Sequence, residues 1–173
     1  MHVKINKHKL EDRRENNKRV EDIGGIVLDN RIQYQNVAKD KVNILYEMEK
    51  QLKKASIDHH LQELVKIRAS QINGCAFCLA MHTSDARKIG VSEEEIFILN
   101  AWHDTNIYSE RTKLALELTE AITLISQHGV SDELYRRVRE VYSEEEYTDL
   151  VFVINQINFW NRLSISMGNE HNV

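Results

Sequence analysis

Proline is absent from this chain of 173 residues, and glycine occurs only six times. Both residues interrupt helices, so their scarcity favours long helices over a strand-and-turn architecture, and the expected fold class is all-α. No window holds the roughly eighteen consecutive apolar residues that a membrane-spanning helix needs. The opening MHVKINKHKLEDRRENNK also lacks the apolar stretch of a signal peptide. The expected location is therefore cytoplasmic, with no membrane partner. Charge of one sign does not dominate either: 23 Lys and Arg stand against 27 Asp and Glu, for a net −4. Nucleic acid, which usually selects a basic surface, is not expected as a partner. Two cysteines are too few for a disulfide framework, and in a reducing compartment a close pair points to redox or metal chemistry.

What is present fits one domain, since 42% hydrophobic content over this length can build a single core. Residues 1–31 carry dense mixed charge, little apolar periodicity and the pair Gly24-Gly25. They read as an N-terminal extension, loosely ordered or packed on a neighbouring subunit. Residues 32–173 are expected to form a bundle of about six to seven helices.

From Val37 to Leu52, the apolar residues Val42, Leu45, Tyr46, Met48 and Leu52 recur at helical spacing. Asp58 can cap a second helix with Leu61, Leu64, Val65 and Ile72 on one stripe, ending at Asn73-Gly74. Cys75 then opens a third helix that stops near Gly90. Ser92 with Glu95 and Ser143 with Glu146 have capping-box spacing. Helices are further expected over Arg111 to Ile125 and Ser131 to Tyr142, and Val151 to Ile165 is apolar enough to be buried.

The stretch that carries chemistry is ELVKIRASQINGCAFCLAMH, residues 63–82. Cys75 and Cys78 stand i,i+3, and Cys78 and His82 stand i,i+4, so a helix places all three on one face. The first turn of such a helix presents unpaired N–H groups and the positive end of its dipole, which favour a thiolate. A thiolate attacks peroxide oxygen, and the resulting sulfenic acid condenses with a nearby thiol to a disulfide. Two other readings stay open. The cysteines could be small buried hydrophobes of a core helix, or Cys75, Cys78 and His82 with Glu63 could supply four zinc ligands, although no second CxxC or HxxxH accompanies them. Glu63 falls opposite the apolar stripe of its own helix, so periodicity alone reads it as a solvated surface residue.

These residues resemble the signature of the alkylhydroperoxidase D family, within the carboxymuconolactone decarboxylase-like superfamily. That signature is a glutamate, then CxxC, then a histidine four residues after the second cysteine. Here Glu63 precedes Cys75 by 75 − 63 = 12 positions, which is the family's spacing, and all four positions match. The likeness extends over roughly 32–167, including HTSDARKIG after the cysteines and INFWNRLSISM near the C-terminus.

The resemblance implies an all-helical subunit that assembles as a homotrimer or homohexamer. It implies a peroxidase in which Cys78 is oxidised by hydrogen peroxide or an organic hydroperoxide, Cys75 resolves it, and a thiol or dithiol donor re-reduces the pair. It further implies that Glu63 starts a proton relay, through Cys75 or water, while His82 deprotonates or orients Cys78. No bound cofactor or metal is expected.

One departure is Phe77, which stands where some members carry a histidine directly before the second cysteine. An apolar neighbour can raise a thiol pKa, or the ring can serve as a core or interface anchor. Competing functions are a general dithiol oxidoreductase or redox sensor, a metal-binding oligomeric scaffold, and the lactone decarboxylation that names the superfamily, whose members resembling that branch lack the redox pair.

Overall fold

The computed structural model describes residues 31–127 and 129–169. The expected extension over 1–31 therefore lies outside the described residues, except for Arg31, whose guanidinium donates to the Ile165 and Ser166 carbonyls at the end of the last helix. The described residues are helical, with no strand among them: α1 (Tyr34–Val37), α2 (Lys39–Leu52), α3 (His59–Asn73), α4 (Ala76–Lys88), α5 (Glu93–Ile98), a 3-10 segment (Leu99–Asp104), α6 (Glu110–Thr123), α7 (Asp132–Val141) and α8 (Glu144–Met167). None is long and apolar enough to cross a membrane.

Local chemistry sets most of the helix ends. The Asp58 carboxylate accepts the Leu61 N–H at 2.8 Å, satisfying one of the donors that a helix start leaves unpaired. Ser92 with Glu95 and Ser143 with Glu146 form reciprocal capping boxes at α5 and α8. Gly74 takes the left-handed conformation (φ +70°) after α3, which turns the chain within one residue toward Cys75.

The eight α-helices among the described residues exceed the expected six to seven. The first expected helix is divided at Ala38, which leaves helical geometry (φ −122°, ψ 39°), and the capping box at Ser92 starts a helix of only six residues. The apolar stretch Val151 to Ile165 is the later part of one long helix beginning at Glu144.

α3 is the central element, packed against α4, α6 and α8. Leu61, Leu64 and Val65 are buried as expected, but so are Lys66, Ile67, Ala69 and Ser70, because neighbours cover more of α3 than a single stripe. Ile72 is only half-buried. α8 behaves in the opposite sense. Its Leu150, Val153, Ile154 and Ile157 point into the core, while Phe152 and Phe159 are each 49% exposed, so the expectation of a buried helix holds for one face only.

A polar network joins the end of α3 to α8. Asn73 Nδ2 donates to Asn158 Oδ1 at 2.8 Å and Asn161 Oδ1 at 2.9 Å. Asn158 Nδ2 donates to Thr123 Oγ1 of α6, and Asn161 Nδ2 to Ser70 Oγ. Buried amides are costly unless paired, so the network selects one register between α3 and α8 and holds the residue that precedes the Gly74 turn. Replacing the hub by an apolar residue of similar size, Asn158→Leu, is expected to lower stability by about 1–3 kcal/mol, the cost of leaving its partners under-satisfied, as measured by the shift in the urea unfolding midpoint.

Candidate functional site

The site begins at the turn between α3 and α4. Gly74 frees the chain to reverse, and the Cys75 N–H donates back to the Ser70 carbonyl at 3.1 Å, closing the end of α3. Cys75 is then the N-cap of α4, with its sulfur accepting the Cys78 N–H at 3.4 Å. The two cysteines form a disulfide, with Cα atoms 5.4 Å apart. Each is only 2% exposed, within a cluster formed with Ala69 and Ile157 and bordered by the partly buried rings of Phe77 and Trp160. Phe77 thus serves as an apolar wall beside the sulfurs. The N-terminal N–H that favours a thiolate is directed at Cys75 itself, a detail that the helical face alone does not specify.

One turn beyond Cys78, the buried His82 reaches across to α3. Its Nδ1 lies 2.8 Å from Glu63 Oε2, and the Glu63 side chain is only 12% exposed. Periodicity alone reads Glu63 as solvated; the structure corrects this, because α4 covers the side of α3 that carries it. Burial, the largest influence, pushes the Glu63 carboxyl up. The His82 hydrogen bond, the His82 charge and Lys66 outweigh it, leaving the carboxyl below its ordinary 4.5. Ionised Glu63 can only accept, so Nδ1–H donates, and in the neutral ring Nε2 is left with the lone pair that can receive a proton.

The structure thus brings together Glu63 with His82 and Cys75 with Cys78, from two consecutive helices. It adds a residue not anticipated from sequence. Lys66 is buried one turn after Glu63, with Nζ 3.1 Å from Glu63 Oε1 and 3.6 Å from Glu49 Oε1 of α2. Glu49 in turn accepts from Gln156 of α8. An i,i+3 Glu–Lys pair is visible in the sequence, but such pairs are usually solvated. Nothing in the spacing shows that this one is buried.

Among the described residues no three His, Cys, Asp or Glu side chains are grouped so as to hold a metal ion. A cleft of about 310 Å³ lined by Asp58, His60, Glu95, Tyr108 and Arg111 lies at the other end of α3, and none of the four motif residues lines it.

The carboxymuconolactone decarboxylase family model matches residues 42–121, a span that contains Glu63, Cys75, Cys78 and His82. The uncharacterized protein YdfG of Bacillus subtilis is 56% identical over 140 residues, covering 81% of this chain and 95% of YdfG. The chain belongs to the carboxymuconolactone decarboxylase family. Within it the chain is AhpD-like. A crystal structure of a protein of unknown function from Agrobacterium tumefaciens, with the suggested name antioxidant defence protein AhpD, superposes with a TM-score of 0.80 at 31% identity, covering 84% of this chain and 99% of that one. The debrominase Bmp8 shares the fold of this family member at a TM-score of 0.73 and 18% identity, over 80% of this chain and 75% of its own.

The lowered Glu63 pKa has a consequence for stability. A carboxyl depressed in the folded state stabilises the fold above its unfolded pKa and loses that contribution as pH falls through the folded value. Acidification from neutrality to below 4.5 is therefore expected to destabilise the parent more steeply than Glu63→Gln. Urea unfolding of both across that range checks it, with the gap between them narrowing toward the acid end.

Proposed function

We propose that the protein is a cytoplasmic thiol peroxidase that cycles Cys75 and Cys78 between dithiol and disulfide. The observation that carries this reading is the close Cys75–Cys78 pair on the helix whose His82 is bonded to a buried glutamate. In the reduced protein His82, backed by Glu63, takes the Cys78 thiol proton. The Cys78 thiolate attacks the nearer oxygen of hydrogen peroxide or an organic hydroperoxide, and the O–O bond breaks. The leaving hydroxide or alkoxide collects the relayed proton, leaving water or alcohol and a sulfenic acid on Cys78. Cys75, favoured as a thiolate by the helix N-terminus, then attacks the Cys78 sulfur. Water departs and the disulfide forms. An external thiol or dithiol donor supplies the two electrons that reopen it.

The burial of both sulfurs, 2% exposed each, favours a small oxidant over a bulky protein disulfide as the group that meets Cys78. This supports the peroxidase reading over the general dithiol oxidoreductase. Mass spectrometry of Cys75→Ser after brief exposure to peroxide is expected to find sulfenic acid on Cys78. Oxidation of Cys75 in Cys78→Ser at the parent's speed would instead reverse the roles. Glu63→Gln is expected to lose roughly 10²-fold in stopped-flow oxidation rate, the usual size of a general-base contribution, while retaining its fold.

The reading includes assembly as a homotrimer or homohexamer. Phe152 and Phe159 are half-exposed on the outer face of α8, with Ile165 beyond them, and apolar stripes of this kind generally find cover. Sedimentation at micromolar concentration is expected to show a multiple of the monomer mass, and a single species at monomer mass overturns this part.

A further inference from the structure

We propose that Lys66 is a positioning residue of this site, its ammonium fixing the Glu63 carboxylate against His82 and supplying the charge that balances it. The inference rests on Glu63 acting as the relay base. Lysine is almost never fully buried unless paired, yet the Lys66 side chain is only 6% exposed. It is held between two carboxylates, Glu63 on its own helix and Glu49 on α2, and Glu49 is tied to Gln156 of α8. Each oxygen of Glu63 then has one partner: Oε2 faces His82 and Oε1 accepts from Lys66. A carboxylate held at both oxygens cannot rotate away from the imidazole, and releasing one end frees it.

The charges that act on Glu63 are His82 from α4 and Lys66 from α3. On the other packed helices, Glu120 of α6 is taken by Arg68, and Arg162 of α8 binds Asn158. Glu49 acts through Lys66. In the reduced protein the Cys75 and Cys78 thiols are further ionisable groups of this site, whereas in the disulfide form they do not titrate, so that form leaves His82 and Lys66 as the charged groups in contact with Glu63.

The test is a carbon-13 NMR titration of the Glu63 carboxyl in the disulfide form of the full chain, for the parent, Lys66→Met, Lys66→Arg and Glu49→Gln. Lys66→Met is expected to raise the Glu63 midpoint by on the order of one pH unit, the effect of removing an opposite charge at this distance. Lys66→Arg is expected to restore it. Glu49→Gln is expected to move it the other way, because Lys66 is no longer shared and a like charge is gone.

In the reduced protein, the acid limb of the hydrogen peroxide oxidation rate is expected to follow the same order. A merely structural Lys66 would change stability and leave these midpoints in place, and that result overturns the inference. If Lys66→Met does not fold, Glu49→Gln decides alone, and an unmoved or raised midpoint overturns it. Glu63→Gln separates the two levels: a parental oxidation rate sinks the relay role itself, whereas a slow Glu63→Gln with unmoved Glu63 midpoints sinks only the role of Lys66.

Discussion

A carboxylate withdrawn from water must be compensated where it lies, and Glu63 imposes that requirement on the centre of the bundle. Desolvation pushes its proton affinity up, and the His82 contact together with Lys66 reverses the push. Both compensating groups must therefore be in place when the helices pack. His82 can reach Glu63 only if α4 returns alongside α3 in one register, and that register is reached through the Gly74 turn. The same return makes Cys75 the N-cap of α4 and buries Cys78 one turn before His82. The acid-base pair and the sulfur pair are thus two results of one helix-to-helix fit.

The surrounding polar groups narrow that fit. Apolar side chains tolerate small shifts in packing, whereas hydrogen bonds weaken steeply with distance and angle. Asn73, Asn158, Asn161 and Ser70 join α3 to α8 just before the turn, and Glu49 and Gln156 join α2 to α8 near Lys66. α8 contributes to the site in this indirect way: it touches the cysteine cluster through Ile157 and Trp160 and holds the C-terminal end of α3 through Asn158 and Asn161. Its outer face leaves Phe152 and Phe159 half-exposed.

The position of the disulfide at the start of α4 also relates the two sulfurs unequally to their surroundings. Cys75 receives the helix-terminal N–H of Cys78, and Cys78 has the histidine one turn on. In the proposed cycle the backbone dipole would favour one sulfur and a side-chain base the other, a division suited to a resolving and an attacking thiol that need activation at different moments.

Much of the local structure could be read from the chain, because caps and turns depend on neighbours in sequence. Asp58, Gly74 and the boxes at Ser92 and Ser143 act over three or four residues, and they sit where their chemistry places them. The spacing of Cys78 and His82 likewise placed both on one buried face of α4, whereas Cys75, expected on the same face, is the extended N-cap just before the helix. The setting of Glu63 was beyond local pattern: its own helix marks it as solvated, and only the cover of α4 buries it. Lys66 is the stronger case, since an i,i+3 Glu–Lys pair reads as surface decoration until α2 brings Glu49 to it. The sequence by itself determined the helices, their ends and the chemical groups of the motif, since these follow from periodicity and short-range hydrogen bonding. Only the tertiary structure decided which charged groups left water and met one another, because burial is a property of the neighbours that pack against a residue.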